Sequence, residues 1–195
     1  DLFFINDAVS QAIGGIHQMW SDQLKNKRVL YIGPGAGLGG AIIDVGNNCY
    51  DLTQHTDGHI YDIMIPGDDG DEKMAEDLIS GRAIYEKCDE TAKNISQSDV
   101  LWRKHEPVIN KMGDDLVKLI QTIRSGQFQK KIKENNWEKE EMTIATGIDV
   151  ILMGGSIGTI DPIGGRLKRI LIKNLDLDIL TIKDSVTAAL VGTSI

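Results

Sequence analysis

The chain is poor in aromatic residues, which make up 5% of 195 positions. Aliphatic side chains must therefore build most of its core. It has two cysteines, Cys49 and Cys88, in unrelated contexts and with no CxxC pair. That excludes a zinc ribbon and a thioredoxin-like centre, and leaves two reduced thiols. No apolar run approaches the ~20 residues of a membrane-spanning helix. No secretory-leader pattern is evident, so the cytoplasm is the default compartment and no membrane partner is expected. There is no internal repeat and no low-complexity tract. Positive charge is in deficit: the formal net charge is -8 and the isoelectric point about 5.0. Such a surface repels phosphate backbones, which argues against nucleic acid as a partner. An anionic substrate would need a local arrangement of backbone N–H groups or cations.

What is present reads as an α/β layered domain. Leu2 to Ile5 is a short apolar run that begins with no lead-in, as though sequence were missing upstream. Asn6 and Asp7 are good helix caps, and Ala8, Val9, Ala12, Ile13, Ile16 and Trp20 follow at helical spacing. Val29 to Ile32 is a strand, and Ala41 to Val45 another. Between them lie five glycines in Gly33-Pro34-Gly35-Ala36-Gly37-Leu38-Gly39-Gly40. Strand, glycine turn, strand is a hairpin, not the strand, turn, helix of a Rossmann unit. His59 to Ile65 alternates as a fourth strand, and an acidic loop from Pro66 to Asp71 follows. Helices are expected over about Glu72 to Asp89 and Pro107 to Arg124. Gln127 to Glu141 reads as a solvated helix or an inserted excursion. Val150 to Met153 is a buried strand ending at Gly154-Gly155-Ser156. A helix over Asp161 to Leu175, a strand over Asp178 to Ile182 and a helix from Lys183 to Gly192, capped by Asp184, complete the chain.

Four places carry candidate chemistry. The glycine run either satisfies tight hairpin geometry or presents backbone N–H groups to phosphate. Asp7 stands where a strand gives way to a helix. It is either a cap or a carboxylate that takes the proton of a substrate hydroxyl. Glu76 lies on a helical face that is either solvated or ligand-facing. Gly154-Gly155 is either a plain turn or a close backbone approach to a nucleotide.

In order along the chain, these segments resemble the sugar kinases of the ROK and glucokinase type, within the actin-like ATPase (ASKHA) superfamily. Ile5-Asn6-Asp7-Ala8 resembles their Asn-Asp-Ala-Asn motif. Gly35-Ala36-Gly37-Leu38-Gly39-Gly40 is similar to their second phosphate loop. Glu76 followed by Ser80-Gly81 resembles the Glu-x-x-x-Ser-Gly element. Val150 to Ser156 resembles the strand and glycine pair on the adenosine side, and Asp184 to Gly192 the closing helix. The resemblance implies the carboxyl-terminal lobe of such a kinase. That lobe is an RNase H-like (actin-like ATPase) fold, a mixed sheet flanked by helices. The amino-terminal lobe, with the first phosphate loop, would be absent from this chain.

The resemblance further implies ATP-dependent phosphorylation of a hexose with Mg²⁺. Asp7 would be the catalytic base. Asn6, Glu76 and His59 would hold the sugar. Gly35, Ala36, Gly37 and Gly39 would hold the phosphates, and Gly154 and Gly155 the adenosine side. The chain by itself would be weakly active or inactive, and the resemblance leaves room for a homodimer.

Two departures bear on activity. Ala36 stands where the phosphate loop carries threonine. Thr56-Asp57-Gly58-His59 keeps the family's Gly-His but neither its glutamate nor its zinc-binding cysteines, so a metal site of that kind is not expected, and His59 is equally readable as a structural histidine. Both departures fit an alternative, a non-catalytic ROK-type sugar-sensing regulator.

Overall fold

A computed structural model describes residues 6–55, 60–133, 136–141 and 143–194. The apolar run 2–5 and His59 lie outside the described residues. Helix α1 (Asp7–Gln18) is followed by the hairpin β1 (Arg28–Pro34) and β2 (Leu38–Val45), then a short strand β3 (Leu52–Gln54). Strands β4 (Met64–Pro66) and β5 (Glu72–Met74) form a small ribbon. Helices α2 (Ala75–Leu78), α3 (Gly81–Cys88), α4 (Ala92–Ser96) and the long α5 (Asp99–Arg124) come next. A second ribbon, β6 (Gln127–Lys133) and β7 (Asn136–Glu141), precedes a 3₁₀ turn at Thr143–Gly147. The chain then runs through β8 (Val150–Met153), α6 (Gly155–Thr159), α7 (Ile163–Asn174), β9 (Asp178–Thr181) and α8 (Ser185–Gly192).

The main sheet has the order β3-β2-β1-β8-β9. β1 is antiparallel to β2 and parallel to β8, and β8 is parallel to β9, so the sheet is mixed. Its central strands are buried on both faces, which explains their continuous apolar runs. Alternate residues serve opposite cores. Val29, Tyr31, Ala41, Ile43, Val150 and Leu152 face Ala8, Val9, Ala12 and Ile16 of α1 and Ala188 of α8. Leu30, Ile32, Ile42, Ile151 and Met153 face the larger core, to which α5 and α7 contribute Ile109, Met112, Leu116, Leu119, Ile120, Leu167 and Leu171.

Helices α1 and α8 touch through their backbones. A side chain at Gly14 would collide with the Ala188 carbonyl, and one at Gly192 with the Ser10 carbonyl.

The expected mixed α/β lobe is present, with four differences in its elements. α5 starts at Asp99 rather than Pro107. Ser98 caps it, accepting from the Leu101 N–H at 3.3 Å, and Pro107 lies inside the helix on an exposed face. There the lost N–H bond is offset by the unbroken buried stripe on the opposite side. The expected strand up to Ile65 is only Met64–Pro66. Ile60 to Asp62 instead form a turn, with the Ile63 N–H donating to the Ile60 carbonyl.

The helix expected over Glu72 to Asp89 is a strand and two short helices. It breaks at Ser80, whose hydroxyl caps α3 by accepting from the Ala83 N–H at 3.1 Å. Of the two readings of the stretch from Gln127 to Glu141, solvated helix or inserted excursion, the helix is not formed: β6 pairs with β7 as a ribbon, entered through Gly126 at φ 72. Propensity favoured a helix in that charged stretch, and the left-handed turn at Gly126 redirects the chain.

Candidate functional site

The carboxyl end of β1, the glycine hairpin and the amino terminus of α1 converge on one cavity of about 630 Å³. That volume is in the range of small-molecule sites. Asn6, Asp7, Gly35, Ala36, Gly37, Gly39, Glu76 and Gly155 all line it. Residues up to 149 positions apart are thus brought together. Among the described residues, no lysine or arginine lines the cavity, while two carboxylates, Asp7 and Glu76, do.

Local structure explains each placement. Asn6 is the cap of α1, in extended conformation, and its Oδ1 accepts from the Ala8 N–H at 2.8 Å. The Oδ1 of Asp7 shares the same N–H, also at 2.8 Å. Asp7 is exposed at the cavity in the first turn of α1, where a helix favours negative charge. The glycine hairpin lies directly against that turn: a methyl at Gly39 would stand 2.6 Å from Cβ of Ala8. Opposite, Gly155 adopts φ +71, which brings its backbone against Pro34 and lets α6 start beneath the hairpin. Gly154 stands one step back, its N–H bonded to the Ile32 carbonyl at 2.9 Å.

Glu76 is not free for solvent. Its Oε2 accepts from the Leu38 N–H at 3.0 Å, and a methyl at Gly37 would lie 2.7 Å from that oxygen. Five residues on, the Gly81 N–H donates to the Gly35 carbonyl at 2.7 Å. Segment 76–81 therefore braces the hairpin turn at both ends. The break in the expected helix at Ser80 is what frees Gly81 to do so.

Sequence reasoning missed Tyr31, Gln11, Tyr61 and Ser185, all of which line the cavity. Tyr31 is the aromatic exception in an aliphatic strand, which was a signal. Its hydroxyl donates to Oε1 of Gln11 at 2.7 Å. Burial, with the negative charge of Asp7 adding to it, pushes the phenol well above the usual tyrosine range. The backbone of Gly155 acts in the opposite direction. Tyr31 is thus a neutral donor. Ser185 places a buried, unpartnered Oγ at the cavity wall. Val186 and Leu190 of α8 complete that wall and are 72% and 66% exposed.

No protein-family model matches the sequence, and no curated protein matches it. Solved structures do. A ROK hexokinase from Thermus thermophilus superposes with a TM-score of 0.62 at 16% identity, over 97% of this chain and 62% of that one. The chain has the fold of the ROK sugar kinases. A ROK family glucokinase from Streptomyces griseus, in complex with glucose and AMPPNP, matches with a TM-score of 0.53 at 20% identity, over 96% of this chain and 65% of that one. A ROK family transcriptional regulator, a homologue of the E. coli MLC protein, matches with 0.58 at 16% identity, over 97% of this chain and 51% of that one. The ROK-fold chain described here spans about three-fifths of the length of the hexokinase it matches.

Proposed function

We propose that this chain is the carboxyl-terminal, catalytic lobe of a sugar kinase that transfers the terminal phosphoryl group of ATP to a hydroxyl of a hexose. The observation that carries this reading is the exposed Asp7 carboxylate in the same cavity as the bare backbone of Gly35 to Gly39. Phosphoryl transfer asks a protein mainly for positioning and for stabilisation of charge, with one group to receive the acceptor's proton. Asp7 is that group. Asn6 and Glu76 orient the acceptor, Asn6 through the amide nitrogen that its capping role leaves available, Glu76 through Oε1.

The hairpin fits a chain of phosphates. Its turn carries no side chain larger than a methyl, and opposite Gly35 the nearest atom is Oγ of Ser156, 3.6 Å from where a methyl would sit. With two carboxylates and, among the described residues, no cationic side chain at the cavity, a triphosphate enters together with Mg²⁺, which supplies the positive charge. The kinases of the same fold support this reading, as does the glucokinase in complex with glucose and AMPPNP.

A panel of hexoses with ATP and Mg²⁺, coupled to ADP release, tests it. Turnover that collapses in Asp7→Ala supports the kinase. Near-normal turnover in that variant removes Asp7 from the mechanism. Ala36 favours a second reading, a sugar-sensing regulator, because it removes a hydroxyl from the phosphate side of the cavity. Sugar binding without any ADP release is the outcome that reading expects.

A further inference from the structure

Gln11 lines the cavity one turn beyond Asp7, on the same face of α1. Its amide is already oriented. The Tyr31 hydroxyl donates to Oε1 at 2.7 Å, from a side chain only 1% exposed. The ring is held in turn by close backbone: a methyl at Gly154 would stand 2.5 Å from it, and a side chain at Gly33 would collide with its hydroxyl. A neutral phenol has a proton to give, so the oxygen is the end of the amide that it holds. Nε2 is left over. It has no partner among the described residues, and it is not among the buried polar atoms that lack one. On a half-buried residue of the cavity wall, Nε2 therefore opens on the cavity. A glutamine four residues beyond an aspartate on a helix can bond that carboxylate. Here the amide is not spent in that way: Tyr31 holds it, and Asp7 accepts from the Ala8 N–H instead.

Position selects the ligand atom. Asn6 precedes Asp7, and Glu76 is bound to the hairpin at Leu38. Gln11 follows Asp7, and its amide reaches toward the Tyr31 hydroxyl and the backbone of Gly33 and Gly154. The phosphoryl group in transit lies between the acceptor that Asp7 serves and the donor laid along the glycines. A fixed neutral donor at that point stabilises the charge of the group, in a cavity that no lysine or arginine lines among the described residues.

We propose that Gln11 binds the transferred phosphoryl group, its Nε2 donating to a γ-phosphate oxygen of ATP while Tyr31 holds the amide in place. The proposal rests on the kinase reading above. The amide gives a hydrogen bond and no proton; the proton of the acceptor hydroxyl still goes to Asp7.

Calorimetry in Mg²⁺ with AMPPNP, which keeps a γ-phosphate, and ADP, which lacks it, tests the contact. A hydrogen bond to a charged group is worth about tenfold or more in affinity. Gln11→Met should therefore weaken AMPPNP about tenfold and leave ADP and sugar within twofold of the parent, with kcat falling at least as far. Tyr31→Phe keeps the amide but frees it to turn, and should weaken AMPPNP about threefold. Equal losses for AMPPNP and ADP, a loss confined to sugar, or no change in Gln11→Met overturns the proposal. Unchanged AMPPNP affinity in Tyr31→Phe overturns the orienting role of the tyrosine. If Gln11→Met fails to fold, Gln11→Glu, which keeps an oxygen for Tyr31, decides: AMPPNP should lose at least tenfold more than ADP, and equal losses overturn the proposal. If the parent protein transfers phosphate to no sugar, the kinase reading fails separately, and the AMPPNP–ADP comparison still judges Gln11. A parent that binds neither nucleotide overturns both.

Discussion

Asp7 sits in the first turn of α1 with one carboxylate oxygen engaged by the Ala8 N–H and the side chain open to the cavity. Replacing it with alanine should lower kcat by about 10²–10⁴, the range of a lost general base, with nucleotide affinity within twofold. Steady-state rates and calorimetric nucleotide binding check both halves. Glu76 makes a different prediction, because its Oε2 is the acceptor for the Leu38 N–H. Glu76→Ala leaves that donor unpaired, at a cost of about 1–3 kcal/mol. Nucleotide affinity should fall about tenfold as the hairpin loosens. Glu76→Gln keeps an acceptor oxygen and should stay within threefold, by the same calorimetry.

At the scale of elements, the far end of the sheet is pinned by charge. Asp44 on β2 accepts from Nε and Nη2 of Arg28 on β1 at 2.6 and 2.8 Å, and meets Nε2 of His55 at 2.8 Å. The Arg28 guanidinium, then the His55 ring, hold the Asp44 carboxyl below the usual carboxylate range. A carboxyl whose folded pKa lies below its unfolded value of about 3.9 contributes stability above that value. The contribution disappears as pH falls through the folded pKa. With the side chain 37% exposed, solvent screening limits the pair to about 1 kcal/mol. Asp44→Asn should therefore lower Tm by about 2–4 °C at pH 7, and the gap should close below about pH 4 in melts followed by circular dichroism.

Elements differed in how plainly the sequence announced them. The hairpin β1–β2 was legible because two apolar runs flank the glycines, and α8 because Asp184 caps it, accepting from the Val186 N–H at 2.9 Å. The start of α5 was not, because Pro107 imitates a first helical position and only the buried stripe beyond it argues otherwise. The break at Ser80 was likewise hidden. It is driven by a long-range bond, from Gly81 to Gly35, that no local pattern encodes. Tyr31 stood in plain sight as the odd residue of its strand, but the partner of its hydroxyl, Gln11, lies 20 residues before it on another element.

For the whole molecule, charge and layering act together. A net charge of -8 and a cavity with two carboxylates oppose any free polyphosphate. Nucleotide binding should weaken at least tenfold when EDTA removes divalent cations, and return with Mg²⁺, as titration calorimetry would read. The sheet divides the molecule into two cores, and the cavity opens on the α1/α8 side, while the brace at residues 76–81 reaches the hairpin from the other.

The direct backbone contact of α1 with α8, at Gly14 and Gly192, has a mechanical consequence. Helices separated by interlocking side chains can shear by trading rotamers. Two that meet carbonyl to glycine have no such compliance. Asp7 and the apolar wall of Val186 and Leu190 therefore ride on one stiff pair. Within the described residues, the elements left to narrow the cavity around a ligand are the glycine hairpin and its brace, moving toward that fixed jaw.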